Sequence, residues 1–241
     1  MTIISLHMPK TAGTSFKASL MHYFGSGYLD DYDFPISKPP EARHAEALSK
    51  SRSIAESGLG DITCIHGHFL PIKYRAVSAI EPVTFVTWLR DPVMRLLSHY
   101  HYWQTSYDPQ TSAPHHKRVI DEAWTLEKFC LSEYFKNIYS QYLWCFPLES
   151  FSFIGISEYY EEDLRDFSDL YLSSSLQPQC KNVGKRGGSS RELEPDFLDA
   201  VREFHAADME LYQRALKYRK DRIASAMSQR VAGSTEAKDM Q

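Results

Sequence analysis

Short apolar runs alternate along this chain with longer stretches of helical period. The runs are residues 3–6, 62–65, 83–89 and 151–156. The run at 83–89 (Val-Thr-Phe-Val-Thr-Trp-Leu) is nearly continuous, as in strands of a parallel sheet covered on both faces. After the first run, Phe16, Leu20, Tyr23 and Phe24 recur at i, i+4, i+7 and i+8, one face of a helix. Residues 41–57, rich in Ala, Glu, Lys and Arg, predict a solvated helix that Gly58 and Gly60 end. Val93, Leu96, Leu97, Tyr100 and Trp103 form the apolar stripe of another helix, with Asp91 as its cap and Pro92 at its first position. Further helices are predicted over 126–135, 137–144 and 158–167. A long amphipathic one starts at Pro195 and turns Phe197, Val201, Phe204, Leu211 and Ala215 inward.

Residues 25–40 and 105–117 carry the Pro, Gly and small polar residues of irregular connections, and 228–241 reads as a frayed tail. Strands alternating with helices predict an α/β fold: a three-layer, P-loop-like, doubly wound, mainly parallel sheet with helices on both faces. One domain over 1–227 accommodates it.

Composition narrows the function classes. A formal net charge of −4 argues against general nucleic-acid binding and against a polybasic membrane surface, while leaving room for a local basic pocket. No run approaches the roughly 18 apolar residues of a membrane span. Cys64, Cys130, Cys145 and Cys180 lie far apart with no CxxC pair, the usage of a reduced intracellular protein. The first strand begins at Ile3, which leaves no room for a signal peptide, so a cytoplasmic location is expected. A homo-oligomer stays open.

The chemistry concentrates where strands end. Pro9-Lys10-Thr11-Ala12-Gly13-Thr14-Ser15 joins the first strand to the first helix. Such a turn aims unpaired backbone N–H groups and the positive end of a helix dipole at one spot, which suits a phosphate. Lys10 adds a mobile charge, Gly13 allows close backbone approach, and Thr14 or Ser15 can cap the helix. The order of residues is not that of a Walker A loop, where the Lys comes late. His66-Gly67-His68 and Arg90 also follow strand ends, and ligands of open α/β sheets bind beyond those ends.

Each feature has a plainer reading when taken singly. The first is an ordinary turn with a surface Lys, and the HxH is packing or a metal pair. Arg90 is a salt-bridged residue at a helix start, Ser98 an unremarkable helix position, and the basic 181–186 loop a solvated one.

Taken in order, the motifs resemble those of sulfotransferases that use 3′-phosphoadenosine 5′-phosphosulfate (PAPS). Residues 9–15 resemble the 5′-phosphosulfate loop. Leu89-Arg90-Asp91-Pro92-Val93-x-Arg95-x-x-Ser98-x-Tyr100 resembles the 3′-phosphate motif. His66-Gly67-His68 is similar to the active-site signature of the heparan sulfate 2-O-sulfotransferase and uronosyl sulfotransferase branch. Phe153-Ile154-Gly155 with Glu158, and the helix carrying Tyr212, extend the likeness to roughly residues 3–216.

The resemblance implies that the backbone of Thr11, Ala12, Gly13, Thr14 and Ser15, with the hydroxyls of the last two, holds the 5′-phosphate. It puts Lys10 on the bridging oxygen and Arg90 with Ser98 on the 3′-phosphate. Lys185 and Arg186 fall in a basic lid over the nucleotide. His68 becomes the general base and His66 its support or an acceptor contact. The donor is then PAPS, the product adenosine 3′,5′-bisphosphate (PAP), no metal is required, and the acceptor is a hydroxyl on a small molecule or glycan.

Two other mechanisms compete. A magnesium-dependent phosphotransferase needs acidic ligands, usually at a strand end, and no predicted strand ends in a free one. A metal hydrolase could draw on His66, His68, His99 and His101, but the last two lie two apart on a helix and point roughly 200° from each other. A nucleotide-binding module without catalysis is the non-enzymatic alternative.

Overall fold

The computed structural model describes residues 1–33, 38–176 and 193–239, with side chains as far as Ser228. Its centre is a parallel five-stranded sheet of β1 (Thr2–Leu6), β2 (Tyr28–Asp30), β3 (Cys64–Gly67), β4 (Val83–Leu89) and β5 (Phe153–Ile156) in the order β2-β3-β1-β4-β5. β1 pairs with β3 on one side (Ser5 opposite His66) and with β4 on the other (Leu6 opposite Thr87). Every strand of this sheet is parallel, so all the carboxyl ends share one rim. The chain crosses β1 between β3 and β4, which makes the β1/β4 boundary a topological switch point.

Alternation along the strands divides the core. Ile3, Cys64, Val86, Trp88 and Phe153 face α1 (Gly13–Phe24) and a later helix, α7 (Tyr160–Tyr171), through Phe16, Leu20, Leu164 and Phe167. Ile4, Leu6, Ile65, Phe85, Leu89, Ile154 and Ile156 face the other way, onto α6 (Ile138–Tyr142) and α9 (Ala206–Asp239) through Tyr139, Tyr142, Tyr212 and Ala215. These are the two helical layers expected. A third cluster joins α3 (Pro92–Thr105) to α5 (Leu126–Cys130) and α8 (Pro195–Phe204) through Leu96, Leu97, Phe129 and Val201.

Several elements differ from the sequence expectation. β2 lies inside the stretch read as irregular, and β3 starts two residues later than expected and runs through His66. The 105–117 connection is cut short by α4 (Pro114–Asp121), where His116 Nε2–H donates to the Trp103 carbonyl at 2.7 Å. The long helix from Pro195 breaks at His205, whose imidazole is taken at both nitrogens. Nε2–H donates to Cys130 O (2.7 Å) and Nδ1 accepts from Asn137 N–H (3.3 Å). α2 (Pro40–Ser57) ends at Gly58 as expected, with φ +71°. Asp91 caps α3 by accepting from Met94 N–H at 3.0 Å.

Candidate active site

The site grows from the rim formed by the neighbouring strands β3, β1 and β4. Adjacent strands lie about 4.8 Å apart, so residues leaving the ends of β3 and β4 flank the loop that leaves β1. That loop is wound tightly. Lys10 (φ +67°) and Ala12 (φ +63°) both take the left-handed conformation, at roughly 1–2 kcal/mol for each non-glycine residue. Such turns gather backbone N–H groups into an anion-binding concavity.

Thr11 is fully buried, and its hydroxyl donates to Met8 O at 2.9 Å, which spends that side chain on holding the loop. α1 starts at Gly13 with Ala12 as its cap and no side-chain cap bond. The expectation that Thr14 or Ser15 caps this helix is therefore corrected: both lie inside its first turn. Ser15 N–H and Phe16 N–H close onto Ala12 O at 3.1 and 3.2 Å.

Gly13 is needed here for a reason the sequence does not reveal. A Cβ at this position would lie 1.8 Å from Nε2 of His7, so the glycine makes room for an imidazole of the same chain.

Two cations meet over the loop. Arg90 leaves the end of β4 and its Nη1 donates to Lys10 O at 3.4 Å. Burial and the neighbouring guanidinium pull the Lys10 ammonium down to about 8. Nζ of Lys10 rests 3.9 Å from the centroid of the Tyr102 ring, contributed by α3. Among the described residues neither Lys10 nor Arg90 has an ion-pair partner.

The turn that presents Arg90 is clamped by side chains from elsewhere. Tyr139 O–H donates to Arg90 O (2.7 Å) and its oxygen accepts from Arg90 N–H (3.0 Å), while Glu158 accepts from Asp91 N–H (3.0 Å). Ser98 is half-buried on α3, and Lys185 and Arg186 lie outside the described residues. Arg95 is fully buried, 5.5 Å from the Tyr139 ring centroid. Its three guanidinium nitrogens have no hydrogen-bond partner among the described residues.

On the β3 side, three imidazoles stack. The ring of His7 lies 4.3 Å from that of His68 and 5.1 Å from that of His66. His66 is buried, its Nδ1 within 2.8 Å of Ser5 Oγ, and burial lowers it to about 3 with help from His68. His68 is half-buried, and Nδ1 of its ring meets the His7 carbonyl oxygen. A carbonyl only accepts, so Nδ1 carries the hydrogen and Nε2 keeps its lone pair. Burial, offset in part by this bond, lowers His68 from its ordinary value. The result is an imidazole neutral at physiological pH with Nε2 bare, the state a general base requires.

His7, Tyr139 and Tyr102 were missed from the sequence. His7 carried one signal, a third imidazole immediately beyond a strand end. Tyr139 and Tyr102 carried none.

His99 packs edge-on to Trp103, Phe129 and Phe135, while His101 is exposed. Among the described residues no three His, Cys, Asp or Glu are grouped to hold a metal ion. β2, absent from the sequence reading, does end in carboxylates. Asp30 is ion-paired to Lys17 (2.6 Å) and Asp31 to Lys73 (2.6 Å). Among the described residues no helix is long and apolar enough to cross a membrane.

Comparison with known proteins gives little beyond this. No family model and no curated protein matches the chain. Among solved structures it is similar to a sulfotransferase from Alicyclobacillus acidocaldarius at 15% identity and a TM-score of 0.46, over 88% of this chain and 94% of that one.

Proposed function

We propose that this protein is a sulfotransferase that moves a sulfuryl group from PAPS to an acceptor hydroxyl, on a carbohydrate by preference, with His68 as base. The observation that carries the reading is the pairing of Lys10 with Arg90. Two cations share the mouth of a left-handed βα loop, and no anion of the described chain answers either. A donor with phosphate at both ends of its ribose would supply the missing charge. Backbone N–H groups of residues 11–14 and Lys10 would hold the 5′ end, with the Ser15 N–H already taken by Ala12 O, and Arg90 and Ser98 the 3′ end. The tight loop suits such a group, because the Thr11 hydroxyl is turned inward onto Met8 O and a helix starts at Gly13 with no side-chain cap bond.

The chemistry follows from charge. The acceptor oxygen bonds to sulfur as the S–O bond to the 5′-phosphate breaks, and the hydroxyl proton goes to Nε2 of His68. Negative charge grows on the departing phosphate oxygen, where an ammonium stabilises it more than in the ground state. Lys10 is the ammonium in this account. The carboxylates at the end of β2 are engaged by lysines, so no observation favours the magnesium-dependent reading.

The test is a screen of sugar, glycan and small-alcohol acceptors with radiolabelled PAPS. Label should move to an acceptor without added metal. His68→Ala should lower the rate about 10²–10⁴-fold with PAP affinity retained. Loss of PAP binding in that variant would make His68 structural, and chelator-sensitive transfer would restore the metal reading.

A further inference from the structure

His7 meets His68 through both its backbone and its ring. Its amide donates to Gly67 O at 2.7 Å and its carbonyl accepts from His68 Nδ1–H, so the backbone of one residue holds both halves of the Gly67-His68 turn. Its ring lies against the His68 ring at 4.3 Å with the planes 29° apart, and against His66 at 5.1 Å and 22°. The ring is itself fixed. Its Nδ1 is 3.2 Å from Tyr32 Oη, and its Nε2 edge fills the space a Cβ on Gly13 would need. Burial, His68 and His66 hold this imidazole well below its ordinary value, so it stays uncharged beside the base.

We propose that His7 is the positioning residue of the base: its carbonyl selects the His68 tautomer and its ring, wedged over Gly13, holds the His68 plane with Nε2 towards the acceptor. This deepens the sulfotransferase reading and rests on it for the identity of the reaction, but not for the tautomer. Without the ring, His68 could turn about its side-chain bonds and lose the carbonyl; with it, rotation meets an aromatic wall. The other groups facing His68 are Lys17 from α1, Tyr32 after β2, His66 in β3, His99 from α3 and Tyr142 from α6. Of these Lys17 opposes protonation, and none besides the His7 carbonyl bonds its Nδ1.

Nitrogen NMR of the histidine-labelled protein, assigned with His68→Ala, reads the tautomer directly. In the wild-type chain His68 should carry its hydrogen on Nδ1 in one tautomer. His7→Asn keeps the carbonyl and a polar group for Tyr32 but removes the ring. It should mix the tautomers and lower kcat about tenfold, with donor KM within twofold. His7→Phe keeps a ring and should retain more of the single tautomer, and it supplies the reading if His7→Asn fails to fold. A wild-type His68 protonated on Nε2 overturns the proposal. So does a His7→Asn protein whose His68 tautomer is unchanged while kcat falls. If the tautomer behaves as expected but no acceptor takes sulfate, positioning by His7 stands and the sulfotransferase reading is what fails.

Discussion

The guanidinium of Arg90 reaches from the end of β4 to the carbonyl oxygen of Lys10, 3.4 Å away, and so ties together the two strands between which the chain reverses its winding. That bond does not require Arg90 for the fold. The backbone of residue 90 is held independently, through both its N–H and its carbonyl, by Tyr139. Arg90→Ala should therefore leave the melting temperature within a degree or two and weaken PAP about 10–100-fold, the worth of a charged hydrogen bond. Unchanged PAP affinity, measured by calorimetry, would remove Arg90 from the site.

Gly13 tests how closely the imidazole stack and the loop are fitted. A Cβ there meets His7 Nε2 at 1.8 Å, and the His7 ring has His66 and His68 against it. Gly13→Ala should cost about 2 kcal/mol by overpacking, roughly 4–8 °C in Tm for a chain of this size. Adding His7→Ala should recover part of the loss, because the clash partner is gone. A Gly13→Ala protein as stable as the parent would contradict the packing described.

Stability should fall in mild acid. Burial, with His68 for His66, lowers His66 to about 3; burial lowers His205 to about 4. Below about pH 6.5 the unfolded chain binds protons that these folded imidazoles refuse, so each removes stability as pH drops towards its folded value. The slope is about 1.4 kcal/mol per pH unit for each fully titrating group. Tm should therefore decline from pH 7.5 to pH 5, and His205→Gln should flatten the decline by one histidine's share. A flat profile over that range would mean that both rings protonate freely in the folded state.

The sequence revealed what depends on local order and left out what depends on distant contact. The strand–loop–helix at 9–15 and the Asp91-Pro92 helix start are written in neighbouring residues, and the elements form there. β2 was hidden because Tyr28-Leu29-Asp30 is three residues at a sheet edge, too short for an apolar run. The break at His205 was hidden because α8 and α9 share one helical period. What separates them is an imidazole bonded to Cys130 and Asn137, about seventy residues away in sequence. Gly13 was legible as a special position, but its reason, the ring of His7, lies just past β1 and is stacked on His66 within β3 and His68 just after it. Neither the Tyr139 clamp on Arg90 nor the Tyr102 ring under Lys10 leaves a periodic trace.

The most direct test is the binding of PAP itself, followed by calorimetry at pH 8.5 in two buffers of different ionisation enthalpy. Burial and Arg90 lower the free Lys10 ammonium to about 8, so near that pH much of it is neutral. A phosphate dianion beside it restores the charge. PAP should bind without magnesium and take up a fraction of a proton per site, and the uptake should vanish in Lys10→Met. No binding of PAP, or binding of ATP only with magnesium, would contradict the account at its base.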